Sequence, residues 1–103
     1  MDQKMLELRQ DVFTSMQKFL NAQGRFMDAH AAAMPSTELL IAANDALESA
    51  RSHSRVLTTF LNYLPQMEPH DGLQREIERI EQLAHGARKE IEVFEQIAAS
   101  LQS

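Results

Sequence analysis

The chain has no cysteine and no tryptophan, a single tyrosine, and only three glycines and three prolines in 103 residues. Without cysteine there is neither a disulfide framework nor a thiolate metal site, which suits a reducing compartment. So few glycines and prolines, with 24% charged residues, describe an ordinary packed protein rather than a disordered or collagenous chain. No stretch comes near the roughly 20 apolar residues that span a bilayer, and charges scattered through residues 1–20 interrupt any signal-peptide core. A soluble, cytoplasmic protein without membrane contact is expected. Positive charge is also in deficit, with ten Lys and Arg against fifteen Asp and Glu and a formal net charge of −5. The basic residues do not cluster, so a phosphate backbone would be repelled, and nucleic acid is excluded as the expected partner.

What the sequence does contain is heptad periodicity. Leu73, Ile77, Ile80, Ala84, Ala87, Ile91, Phe94, Ala98 and Leu101 follow one another at alternating steps of four and three. At 3.6 residues per turn this holds an apolar stripe on one helical face, which must be buried against other helices. A second seam runs Leu40, Ala43, Leu47, Ala50, Ser54, Leu57, Leu61, Leu64, flanked by Leu39, Ala46, His53 and Phe60. The first segment carries doublets instead: Met5-Leu6, Val12-Phe13, Phe19-Leu20 and Phe26-Met27, one every seven residues. A doublet widens the apolar face enough to touch two neighbours.

Punctuation divides these seams into helices of about 2–33, 36–64 and 72–101 in a single domain, 1–103. Asp2 is a suitable N-cap for the first, and Pro35 biases Met34 away from helix and ends it near Ala32 or Ala33. Ser36 or Pro35 opens the second helix with Glu38 in its first turn. Pro65 closes it, and Asp71 with Gln74 resembles a capping box for the third. Gly24, inside the first helix, is expected to mark close packing. Short connections force neighbours antiparallel. The predicted fold is an all-α, up-down-up antiparallel three-helix bundle with coiled-coil-like packing.

Registering the helices places Phe26, Ile91, Phe94 and Leu101 opposite the small Ala43, Ala46 and Ala50 at one end. Met5, Leu8, Val12, Leu57, Phe60, Leu61, Leu64, Leu73, Ile77 and Ile80 gather at the other. Between them Ala22, Ser54, Ala84, Gly86 and Ala87 form a narrow waist, where the helices approach closely or leave a small cavity.

The constellations that carry chemistry are missing. Glu81 and His85 have metal-ligand spacing, but His85 falls on the outer side of its helix, and no Glu-x-x-His of a diiron bundle occurs. His30 sits where a helix dipole favours a cation, and His53 alone is expected to be half-buried. Ser52 and Ser54 lie about 100° of helix rotation from His53 and cannot present their hydroxyls to its ring. A histidine-phosphotransfer bundle needs an exposed His followed by Lys-Gly, which His85-Gly-Ala-Arg-Lys89 lacks. No catalytic residue, metal or cofactor is therefore assigned.

The surplus is apolar. Ile41, Val56, Tyr63 and Val93 fall outside the seams, as does one column of the doublets. Several such residues on a small acidic bundle point to contact with another chain. The expectation is a non-catalytic helical protein–protein interaction module, an adaptor, chaperone-like or regulatory protein that pairs with a protein partner or with itself as a homodimer. Its candidate contacts are Leu6, Phe13, Leu20, Met27, Ile41, Val56 and Tyr63. The alternative is a small-ligand-binding bundle that uses the waist beside His53 and Ser54.

Overall fold

In the computed structural model, which describes residues 3–103, α1 spans Gln3–Ala31, α2 Ser36–Tyr63 and α3 Leu73–Gln102. A short 3₁₀ turn, Leu64–Gln66, continues α2. The three rods fold up, down and up into a molecule of 52 × 20 × 16 Å. The expected three-helix bundle is therefore observed, and no strand occurs among the described residues. The proposed cap at Asp2 lies outside the described residues.

Cross-helix contacts fix the register. Ser15 meets His53 and Arg25 meets Asp45 between antiparallel α1 and α2. Arg51 reaches Glu95 between α2 and α3. Arg9 with Glu76, and Phe94 with both Phe19 and Phe26, join the parallel pair α1 and α3. α2 packs closely on both neighbours, whereas α1 and α3 stand further apart and meet through these longer side chains.

The core divides as the seams require. One cluster holds Met5, Leu8, Val12, Leu57, Phe60, Leu64, Ile80, Ala84 and Ala87; the other sets Phe19 and Phe94 against Ala22, Ala43, Ala46 and Ala50, with Leu47. In the second cluster the edge-to-face rings, 5.6 and 6.3 Å between centroids, fill the space the alanines leave. At the waist Ala22, Ala84 and Ala87 are buried and Ser54 is half-buried, with α2 packed closely on each neighbour while α1 and α3 stay further apart. Gly86 does not belong to the waist. It is exposed, and a Cβ added to it would touch nothing within 4 Å.

The helix ends depart from the sequence expectation in instructive ways. α1 stops at Ala31, and the Met34 N–H donates to the Ala29 carbonyl while the Ala33 N–H donates to that of His30. This is a Schellman closure, with Ala33 at φ 53° in the left-handed position that glycine usually fills. Pro35 is the N-cap of α2 and its carbonyl accepts from Glu38 and Leu39. Pro65 does not end the helical path at once, because a proline near the start of a 3₁₀ turn gives up an N–H that needs no partner. The capping box at Asp71 and Gln74 is absent. Gly72, at φ 92°, is the N-cap of α3, and its left-handed backbone turns the chain into the helix without a side-chain cap.

Candidate interaction surface

The doublets determine which side of α1 faces outward. In each doublet the first residue enters the core: Met5, Val12 and Phe19 are buried and Phe26 is half-buried. The second is turned about 100° away. Leu6, Phe13, Leu20 and Met27 are accordingly exposed, Phe13 by 58% and Met27 by 62%. Seven-residue spacing aligns the four on a single stripe along the whole helix.

The surroundings of the stripe set it apart from stray surface hydrophobes. On a helix, the positions three and four residues away are the lateral neighbours. Around the stripe the described ones are Gln3, Arg9, Gln10, Met16, Gln17, Gln23, Gly24, His30 and Ala31, and in the sequence Asp2 also falls four residues before Leu6. Among the described residues at these positions Arg9 is the single fixed charge, and Glu76 accepts its Nε–H at 3.3 Å. Lys4, Glu7, Asp11, Lys18, Arg25 and Asp28 lie off this face. An apolar row bordered by amides and small residues has the composition of an interface core, from which charges are depleted.

Gly24 belongs to this face and not to the interior. A Cβ added there would meet nothing within 4 Å, which removes the expected close contact inside the bundle. A helical glycine costs about 1 kcal/mol relative to alanine.

Toward its C-terminal end the stripe borders a groove between α1 and α3. This groove, about 740 Å³, is lined by Phe26, Met27, His30 and Ala31 of α1, Leu39 of α2, and Val93, Gln96, Ile97, Ser100 and Leu101 of α3. Val93, predicted to lie outside its seam, is half exposed at the groove wall. The apolar face therefore extends from α1 onto α3.

The other candidate contacts do not join this face. Ile41 is 71% exposed on α2, in a hollow shared with Arg25, Glu38, Asp45 and Glu48. Val56 and Tyr63 are half-buried and pack against their own core cluster. Val56 also borders a hollow of about 330 Å³ between α1 and α2, together with Asp11, Thr14, Ser15, Lys18, Glu48, Ser49 and Ser52.

One polar pair escaped the sequence reading. His53 is buried, not half-buried, and its Nδ1 lies 2.6 Å from the Ser15 hydroxyl, 38 residues away in the chain. Ser15 Oγ is also 3.1 Å from the Val12 carbonyl. The hydroxyl has one proton and the carbonyl can only accept. Both contacts are used when Nδ1–H donates to Ser15 Oγ and the Ser15 hydroxyl donates to Val12. Burial holds the imidazole pKa below its ordinary value of 6.5, so the ring is neutral at pH 7. The signal was present in the seams: Ser15 interrupts Met5, Leu8, Val12, Phe19 and Ala22 at the height where His53 interrupts Ala46 and Phe60.

Among the described residues no three His, Asp or Glu side chains are grouped to hold a metal ion, and no helix is long and apolar enough to cross a membrane. No protein-family model, curated protein or solved structure matches the chain.

Proposed function

We propose that this protein is a non-catalytic helical interaction module that docks another polypeptide on the outer face of α1. The observation that carries the reading is the unbroken exposed row Leu6, Phe13, Leu20 and Met27, on a face whose neighbouring positions are almost uncharged. A monomer gains nothing from such a row. Residues at a constant interval of seven match the repeat of a facing helix, whose side chains interdigitate with them as in a coiled coil.

Phe13, near the middle of the row, is the anchor, because large aromatic side chains that lose their remaining exposure dominate interface energetics. Burying the apolar surface that Phe13 still exposes contributes on the order of 2 kcal/mol. Ile41, Val56 and Tyr63 contribute less, being surrounded by charge or engaged in the core.

Photo-crosslinking tests the assignment. A photoreactive residue replacing Phe13, Leu20 or Met27 is expected to give protein adducts, whereas one replacing Ser49 on α2 or Glu92 on α3 is not. Excess unmodified protein should suppress the adducts, and excess protein carrying Phe13→Glu with Leu20→Glu should not. Equal labelling from every face would refute the proposal.

A further inference from the structure

We infer that the chain which covers the α1 stripe is a second copy of this protein, forming an antiparallel side-by-side dimer with its two-fold axis between Met16 and Gln17. The inference rests on the docking reading above and names the occupant of the same face.

Shape sets the first condition. A stable interface covers roughly 800 Å² on each partner. The ends of the molecule, 20 × 16 Å, are far too small, while a long side of 52 × 20 Å presents roughly that area. A dimer must therefore lie lengthwise. The α1 side is the one that carries the continuous apolar row.

Charge sets the second. Two chains of net charge −5 repel each other. Residues 1–34 carry four cations and four anions, whereas the α3 sequence has six carboxylates against four cations and the α2 sequence is also net negative. Contact through α1 keeps the acidic helices outermost. An acidic chain can approach its own copy with least repulsion on this face.

Register supplies the third argument. Antiparallel pairing about that axis sets Phe13 against Leu20 of the copy and Leu6 against Met27, so each larger side chain meets a different one and no member of the row is left over. Met16 meets Met16 and Gln17 meets Gln17 beside the axis. Gln10 falls opposite Gly24, whose missing side chain, with nothing within 4 Å, leaves space for the amide. Arg9 falls opposite Gln23, so no like charges meet across the central contact. The helix dipoles run head to tail.

Sedimentation equilibrium and engineered single cysteines test this, and the absence of native cysteine keeps the second method unambiguous. The expected mass is twice 11.7 kDa at micromolar concentrations. Phe13→Glu with Leu20→Glu should return the monomer mass without loss of helical circular dichroism, since both side chains are exposed. Under mild oxidation Gln17→Cys should give a disulfide-linked dimer and Gln3→Cys should not, because Gln3 lies roughly 40 Å along the pair from its own copy. A mixture of Gln3→Cys and Ala31→Cys proteins should cross-link.

A monomer at all concentrations would overturn the inference. So would a dimer that survives the double Glu substitution, or efficient self-linking of Gln3→Cys, the signature of a parallel pair. Adducts from Phe13 to unrelated chains in a protein that stays monomeric would overturn the self-pairing while leaving the docking face intact. Absence of any adduct from that face would overturn both.

Discussion

Replacing Ser15 by alanine should destabilise the bundle by more than the loss of one surface hydroxyl would suggest. The His53 Nδ1–H then points at a methyl group inside the protein. A buried donor left unsatisfied costs about 1–3 kcal/mol, whereas the hydrogen bond itself contributes only about 1 kcal/mol net. Alanine's better helix propensity offsets a few tenths of a kcal/mol of this. A net loss of about 1–2 kcal/mol is expected, read as a fall of roughly 5–15 °C in Tm for a domain of this size. The informative variant is the double one. Ser15→Ala with His53→Leu removes both polar partners and should restore stability to within about 1 kcal/mol of the parent, because the waist then contains no orphaned donor. Thermal melts followed at 222 nm on all four members of the cycle supply the coupling energy. The reasoning fails if the two substitutions are simply additive, since additivity would mean the pair does not interact.

The same pair makes stability depend on pH. The folded-state pKa of His53 is held below its unfolded value of 6.5 by burial, so the unfolded chain takes the proton first. Its contribution is complete above about pH 6.5 and is lost progressively as pH falls from there through the lower folded pKa. The difference in urea-derived stability between the parent and the Ser15→Ala, His53→Leu variant should widen against the parent between pH 7 and 5, and a constant difference would contradict the burial argument. Ala33→Gly relieves the left-handed strain in the Schellman closure and should stabilise by about 1 kcal/mol, measured by the same melts. Phe94→Ala removes the ring that joins Phe19 and Phe26, and should cost about 3–5 kcal/mol and expose α1–α3 amides at that end first in hydrogen exchange. Glu76→Gln, which ends the ion pairs with Arg9 and Arg79 at 3.3 and 3.4 Å, should cost no more than about 1 kcal/mol because both arginines are well exposed.

The legible parts of this molecule are those in which one residue's role follows from its own periodicity. The four-three spacing of α2 and α3, the stop at Pro35 and the alternation of Phe26, Ile91 and Phe94 with small alanines each follow from a local rule. The outward row Leu6, Phe13, Leu20 and Met27 was equally accessible, because a heptad of doublets must direct one column away from the seam. The polar pairing of α1 with α2 was not. Neither Ser15 nor His53 is unusual within its own segment, and only their common height on two antiparallel rods turns two seam defects into one hydrogen-bonded pair. Capping at Gly72 was missed for a different reason: an Asp-x-x-Gln pattern has the composition of a capping box, while the glycine between them turned the backbone more directly.

Gly24 shows where a local rule gives no unique answer. A glycine within a helix can signal an approaching neighbour or nothing at all, and the neighbour need not belong to the same chain. The structure removes the intramolecular explanation, since the space around the missing Cβ is open. If the contact lies across a dimer, Gly24→Ala should raise the stability of the isolated bundle by about 1 kcal/mol and at the same time weaken self-association. Opposed changes in a single variant are hard to produce in any other way: a glycine that merely loosened α1 would, when replaced, strengthen both. Unfolding measured on the monomeric Phe13→Glu, Leu20→Glu background isolates the first effect, and sedimentation of Gly24→Ala alone isolates the second. Gains in both would place Gly24 outside the interface and shift the two-fold axis away from Met16 and Gln17.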